Sequence, residues 1–103
     1  MALSARHTRA SAGQGRGMPR ISSFHGIVIA MYYEEHGRPH FHARHAEHTA
    51  SIAIGNLDVL QGSLPRRHLA LVREWARLHR AELETNWERA RCEQPLLTID
   101  PLP

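Results

Sequence analysis

The chain contains no lysine and one cysteine, Cys92, in 103 residues. A single cysteine excludes an internal disulfide framework and a cysteine-rich zinc site, and it fits a reducing, cytoplasmic setting. Cys92 itself reads as a spare residue near a helix end. All thirteen basic residues are arginine, which we attribute to genome composition and not to mechanism. No apolar run is long enough to span a membrane, and the N-terminus lacks the apolar segment of a secretory signal. Acid is missing from residues 1–17, where Arg6, Arg9 and Arg16 account for the whole net charge of +3. The remaining ten arginines face ten acids. The high pI therefore belongs to the leader, and the electrostatic case for nucleic-acid binding by the rest is weak.

A chain of this length makes one domain. Residues 1–17 have no apolar face and three late glycines, so they read as a disordered N-terminal extension, with Met18 as the natural initiator. Residues 18–103 read as a single α+β domain. Phe24 to Tyr33 is rich in β-branched and aromatic residues and predicts a central strand, with Ile27, Ile29, Met31 and Tyr33 on one face. A turn over Glu34–Arg38 leads to a second strand, His40–His45. Period-2 alternation there separates Phe41, Ala43 and His45 from His40, His42 and Arg44. Ala46–Thr49 reads as a turn, Ala50–Ile54 as a third strand and Leu57–Gln61 as a short fourth. The short connections predict an antiparallel meander of three to four strands.

From Gly62 the period changes. Ser63 is the expected N-cap, and Pro65 suits a first helical turn. Leu69, Val72, Ala76, His79, Leu83 and Trp87 recur at helical steps, and Leu71, Trp75 and Leu78 widen the stripe. The pattern predicts one C-terminal helix, or a pair joined at a kink near Arg80. Pro95–Ile99 reads as an extended segment able to pair with an edge strand. The charges on the helices mix signs and read as a solvated face, although Arg66 and Arg67 run against the dipole preference at a helix start.

The chemistry-bearing stretch is His36-Gly-Arg-Pro-His-Phe-His42, followed by His45 and His48. Five of the nine histidines fall in thirteen residues. Beside a plain solvated strand face, two functional readings follow. In one, His40 and His42, two apart on a strand, chelate a divalent metal, with His36, Glu34 or Glu35 supplying a third ligand and water filling an open position. In the other, imidazoles that titrate near neutral pH act as general acid and base on RNA, and Arg38 and Arg44 hold the phosphate. Tyr32 and Tyr33 either stack bases or pack in the sheet. His25, His68 and His79 read as structural, His79 as a packed, hydrogen-bonded residue on the apolar stripe.

The motifs Met18-Pro-Arg-Ile-Ser, Phe24-x-Gly-Ile-x-Ile, Met31-Tyr-Tyr, His36-x-x-Pro-His-Phe-His, Gly62-x-Leu-Pro, Val72-x-Glu-Trp, Leu78-His-Arg and Asn86-Trp resemble the small bacterial family catalogued as domain of unknown function 4160. The resemblance covers residues 18–99. Arg38-Pro39 stands where the family pattern has two prolines. The resemblance brings no established activity. It implies one half of a two-gene, toxin–antitoxin-like pair, with a small protein from a neighbouring gene as partner. The expected function is thus a toxin-like domain acting on RNA through His40 and His42, with His36, Arg38 and Arg44 in support. The alternatives are a metal-binding domain using His36, His40 and His42, and a non-enzymatic partner-binding protein meeting its partner through the helix and Trp75 or Trp87. No membrane association is expected.

Overall fold

A computed structural model describes residues 19–33 and 36–103. The expected extension 1–17, Met18 and the turn residues Glu34 and Glu35 lie outside the described residues. Among the described residues, five strands precede two helices: β1 (Arg20–Phe24), β2 (Ile27–Ala30), β3 (His40–His45), β4 (His48–Ala53), β5 (Val59–Gly62), α1 (Arg66–Leu78) and α2 (Arg80–Arg91). The strands pair antiparallel in sequence order, as a meander. The α+β class is as expected, but the sheet has five strands instead of three to four. The strand expected over 24–33 is shortened to Ile27–Ala30, and a further strand, Arg20–Phe24, folds back on it through His25-Gly26, both at positive φ (51° and 75°). Mirror-image turns of this kind match the twist of the flanking strands and close tight hairpins.

One sheet face carries the core. Ile27, Ile29, Met31, Phe41, Ala43 and Ile52 are buried, as alternation predicts, and Phe41 lies directly across from Ile52. Helix α1 covers this face. Val72, Trp75 and Ala76 are the buried residues of α1. The Trp75 ring meets Phe24 at 5.4 Å and Phe41 at 6.0 Å. Burying a tryptophan side chain in this way removes roughly 150–250 Å² from water. Leu78, expected to widen the stripe, is 65% exposed at the last residue of α1. The helical pattern breaks at His79 (φ −122°, ψ 27°), one residue before the expected kink. His79 contacts Trp75 and hydrogen-bonds Glu82, so it is the packed residue its position suggested. Ser63 is not the cap. Pro65 occupies the N-cap and makes no side-chain hydrogen bond, while the Ser63 N–H donates to the Thr49 carbonyl across the β4–β5 edge.

The C-terminal segment is held by side chains and forms no ladder. Asn86, fully buried, donates to the Leu97 carbonyl and accepts from the Leu97 N–H, at 2.8 and 2.9 Å. The Trp75 indole donates to the Asp100 carbonyl at 2.8 Å. The Ile99 N–H donates to the Ile21 carbonyl at 2.8 Å, a single contact with the β1 edge. Ile99 and Leu102 are buried as a result. A covered edge offers fewer unpaired groups to another chain.

Candidate acid–base site on the second sheet face

The strand register aligns Arg20, Ala30, His42, Ser51 and Gln61 in one row across all five strands. Neighbouring rows hold Val28, Arg44 and Thr49, and the pair His40 and Ala53. Period 2 places these side chains opposite the Phe41 face. His40, His42 and Arg44 therefore share a face, as the alternation requires.

His40 sits at the start of β3, where Pro39 holds the preceding backbone extended. It is 9% exposed, and its ring packs against Trp87 of α2 at 5.2 Å. Its Nδ1 lies 2.7 Å from the Arg38 carbonyl oxygen. A carbonyl only accepts, so Nδ1 carries the hydrogen and Nε2 is the basic nitrogen of the neutral ring. The His42 ring meets His40 edge-on, with centroids 5.1 Å apart. Its Nδ1 is 3.3 Å from the Ser51 hydroxyl, and its face lies 4.2 Å from the Tyr32 ring.

Two depressions flank the pair. An open cleft of about 420 Å³ is lined by His36, Arg38, His40, Ser51, Leu60 and Gln61. A smaller one of about 70 Å³ has Arg20, Tyr32, His42 and Arg44 in its wall. The structure therefore brings His36 and Arg38 to the His40 side and Arg44 to the His42 side. The Arg38 guanidinium donates to the Asn56 side chain at 3.3 Å. Among the described residues, no three His, Cys, Asp or Glu side chains converge as a metal site requires. The two acidic candidates for a third ligand, Glu34 and Glu35, lie outside them.

Other candidates have structural partners. Tyr33 donates its hydroxyl to the Gln94 carbonyl at 3.0 Å and packs against the core, so sheet packing describes it better than base stacking. Tyr32 is half-buried against His42. Trp75 and Trp87, the expected partner-contact residues, are 0% and 5% exposed and belong to the core. His45 and His48 are drawn out of the first cluster. They face each other across the β3–β4 hairpin, and His45 stacks on His68 of α1 at 3.6 Å. His45 Nδ1 donates to the Gly26 carbonyl at 3.1 Å, while His68 Nδ1 is buried without a partner. Burial first, then His45, Arg67 and His48, hold the His68 imidazole below its usual range.

Sequence reasoning missed Arg20, Ser51 and Gln61. Nothing in their local patterns marks them. Each joins His42 only through the cross-strand register, which the turn residues set.

No helix of the described residues is long and apolar enough to cross a membrane. A family model described as "Domain of unknown function (DUF4160)" matches residues 26–88. Neither the curated proteins nor the solved structures contain a match to this chain.

Proposed function

We propose, for a chain that belongs to the DUF4160 family, that the His40–His42 pair is an acid–base centre for cleaving RNA phosphodiesters, in a cytoplasmic toxin-like domain. The observation that carries this reading is the edge-on pair of rings 5.1 Å apart, one of them fixed by the Arg38 carbonyl. Basic side chains border the pair on both sides. With its hydrogen on Nδ1, His40 takes the 2′-hydroxyl proton through Nε2. The 2′-oxygen then attacks phosphorus, and His42 protonates the departing 5′-oxygen. Arg38 or Arg44 stabilises the charge developing on the phosphorane oxygens. The products are a 2′,3′-cyclic phosphate and a 5′-hydroxyl, with no net change in protons. His36, at the mouth of the His40 cleft, assists substrate entry.

The experiment is incubation of the purified chain with a structured and an unstructured RNA, with end-group analysis of the fragments. Cyclic-phosphate ends that disappear in His40→Ala/His42→Ala support the reading. Intact RNA with the wild type, or equal cleavage by the double variant, refutes it. A small protein from a neighbouring gene is the proposed inhibitor, and its co-purification with the chain tests that part separately.

A further inference from the structure

A second cleft, of about 630 Å³, opens between the β4–β5 turn and the break between the helices. It is lined by Asn56, Leu57, Asp58, Arg73, Arg77 and Arg80. Arg73, Arg77 and Arg80 are spaced four and three apart, so they share one side of the helical path even though His79 interrupts it. In sequence this stripe looks like an ordinary solvated face. The structure shows three cations converging on one concavity that holds a single carboxylate.

The state of each group points the same way. Among the described residues, none of the three arginines is ion-paired: the ion pairs formed there are His79–Glu82 and Arg91–Glu88. Arg73 spends its Nε on the Leu57 carbonyl at 3.0 Å, which fixes its guanidinium at the cleft wall. Arg80 Nε is buried with no hydrogen-bond partner. A buried donor left unpaired is costly, and such groups in folded proteins call for an explanation. Arg80 also begins α2, where the positive end of the helix dipole disfavours a cation and favours an anion. The first turn of α2 holds one acid, Glu82, and that carboxylate is engaged by His79 and not by Arg80.

The opposite wall is built with backbone strain. Leu57 adopts φ 64°, a conformation that a branched side chain takes at a cost of about 1–2 kcal/mol. Such strain gathers where structure holds a site in place. Around it, Asn56 accepts from the Asp58 N–H and donates to the Asp58 carboxylate, both at 3.0 Å. The carboxylate opposes an anion but is outnumbered three to one, and it can accept from a sugar hydroxyl.

We infer that the cleft formed by Arg73, Arg77 and Arg80 opposite Asn56–Asp58 is a binding site for a phosphate group carried by a nucleotide or a nucleic-acid chain. Planar guanidinium forks match phosphate oxygens in pairs, and the cleft volume is that of a small-ligand site. The site stands independently of the proposed chemistry at His40 and His42. It adjoins that centre only through Arg38, whose guanidinium reaches Asn56.

The test follows the arginine Nε–Hε resonances of the full chain during titration with inorganic phosphate, adenosine 5′-monophosphate and a ten-nucleotide single-stranded RNA. The Arg73 and Arg80 resonances should shift and saturate, while those of Arg66, Arg67, Arg89 and Arg91 should not. Arg77→Glu, at an exposed position, should weaken binding by about tenfold or more, as expected for loss of a charge-assisted contact. Arg80→Gln should weaken it as well. Saturation by phosphate and the mononucleotide at similar concentrations identifies a small ligand. Binding of the RNA at least tenfold tighter than the mononucleotide identifies a chain. Uniform shifts of all arginines, absence of binding by all three probes, or unchanged binding in Arg77→Glu overturns the inference. The His40→Ala/His42→Ala variant should still bind inorganic phosphate. An RNA-inert wild type that binds phosphate would sink the nuclease reading and leave this site standing.

Discussion

Replacing Gly62 by alanine should unfold the β4–β5 edge, and the structure sets the size of the effect. Gly62 ends β5 at φ 74°, and a Cβ built there would lie 2.0 Å from the Thr49 carbonyl oxygen and 3.0 Å from its carbon. Thr49 belongs to β4, so the obstacle is backbone and cannot swing aside. The conformation alone costs an alanine about 1–2 kcal/mol. Relieving the clash requires β5 to retreat by about an ångström, which costs a further 1–3 kcal/mol by analogy with overpacked cores. The Ser63 N–H bond to Thr49 and the Ser51–Gln61 pairing would stretch with it. A total of about 2–5 kcal/mol is a large share of the 5–15 kcal/mol that usually separates folded from unfolded chains. Gly37 supplies the control. It has φ 87° but no atom within 4 Å of a built Cβ, so Gly37→Ala should cost only the conformational share of about 1–2 kcal/mol. Urea unfolding of both variants, with a slope near 1 kcal/mol/M for a chain of this size, should show a midpoint loss of about 2–5 M against about 1–2 M, the difference of about 1–3 M being the cost of the clash. If the two variants fall within about 0.5 M of each other, the close approach of Gly62 to β4 is wrong. The His40 cleft would lose its Gln61 wall as β5 moved, so cleavage should fall with stability only in Gly62→Ala.

Asn86→Ala should cost about 2–3 kcal/mol in the same assay, from two lost hydrogen bonds and a small cavity, and should increase amide exchange at Leu97 and Ile99. Trp75→Phe should lower stability by a similar ~2 kcal/mol, since it removes the bond to the Asp100 carbonyl and leaves a void beside Phe24. The lowered His68 pKa gives the sign of a pH effect. The unfolded chain binds this proton more readily than the folded one, so stability is fully kept above about pH 6.5 and falls as the pH drops through that value. His68→Gln should flatten the acid limb of the stability profile, measured by urea midpoints at pH 5 to 8; an unchanged limb would refute the assignment.

The parts of the fold that were legible in sequence rest on period alone. Alternation over His40–His45 separated Phe41 from His40 and His42, because β3 is unbroken and paired on both sides. The same test failed one hairpin earlier. Ile21 and Phe24 are both buried although three residues apart, because the β1–β2 register shifts between Arg20 and Ser22. An irregularity of this kind adds a residue and destroys the period. The turn that follows is His-Gly, without the Asn or Asp that usually signals such a hairpin. The arginine cleft was illegible for a different reason. Its walls come from a turn at 56–58 and a helical stripe at 73–80, and each looks solvated until the fold brings them together.

Arg38 shows what this difference means for the candidate site. Sequence proximity assigned its guanidinium to a phosphate held by the histidines. In the fold, the side chain reaches Asn56, eighteen residues away, and the backbone carbonyl accepts from His40. Arg38 therefore fixes the tautomer of His40 through its main chain, which no side-chain substitution removes. Arg38→Ala should leave the orientation of His40 intact and remove only the cation. If cleavage then survives, the stabilising charge comes from Arg44, which borders the His42 side with Arg20. Loss of cleavage in Arg44→Ala, with the fold intact, would place the phosphate on that side of the pair. Survival in both single variants, followed by loss in the double variant, would mean that the two arginines substitute for each other across a pair of rings only 5.1 Å apart.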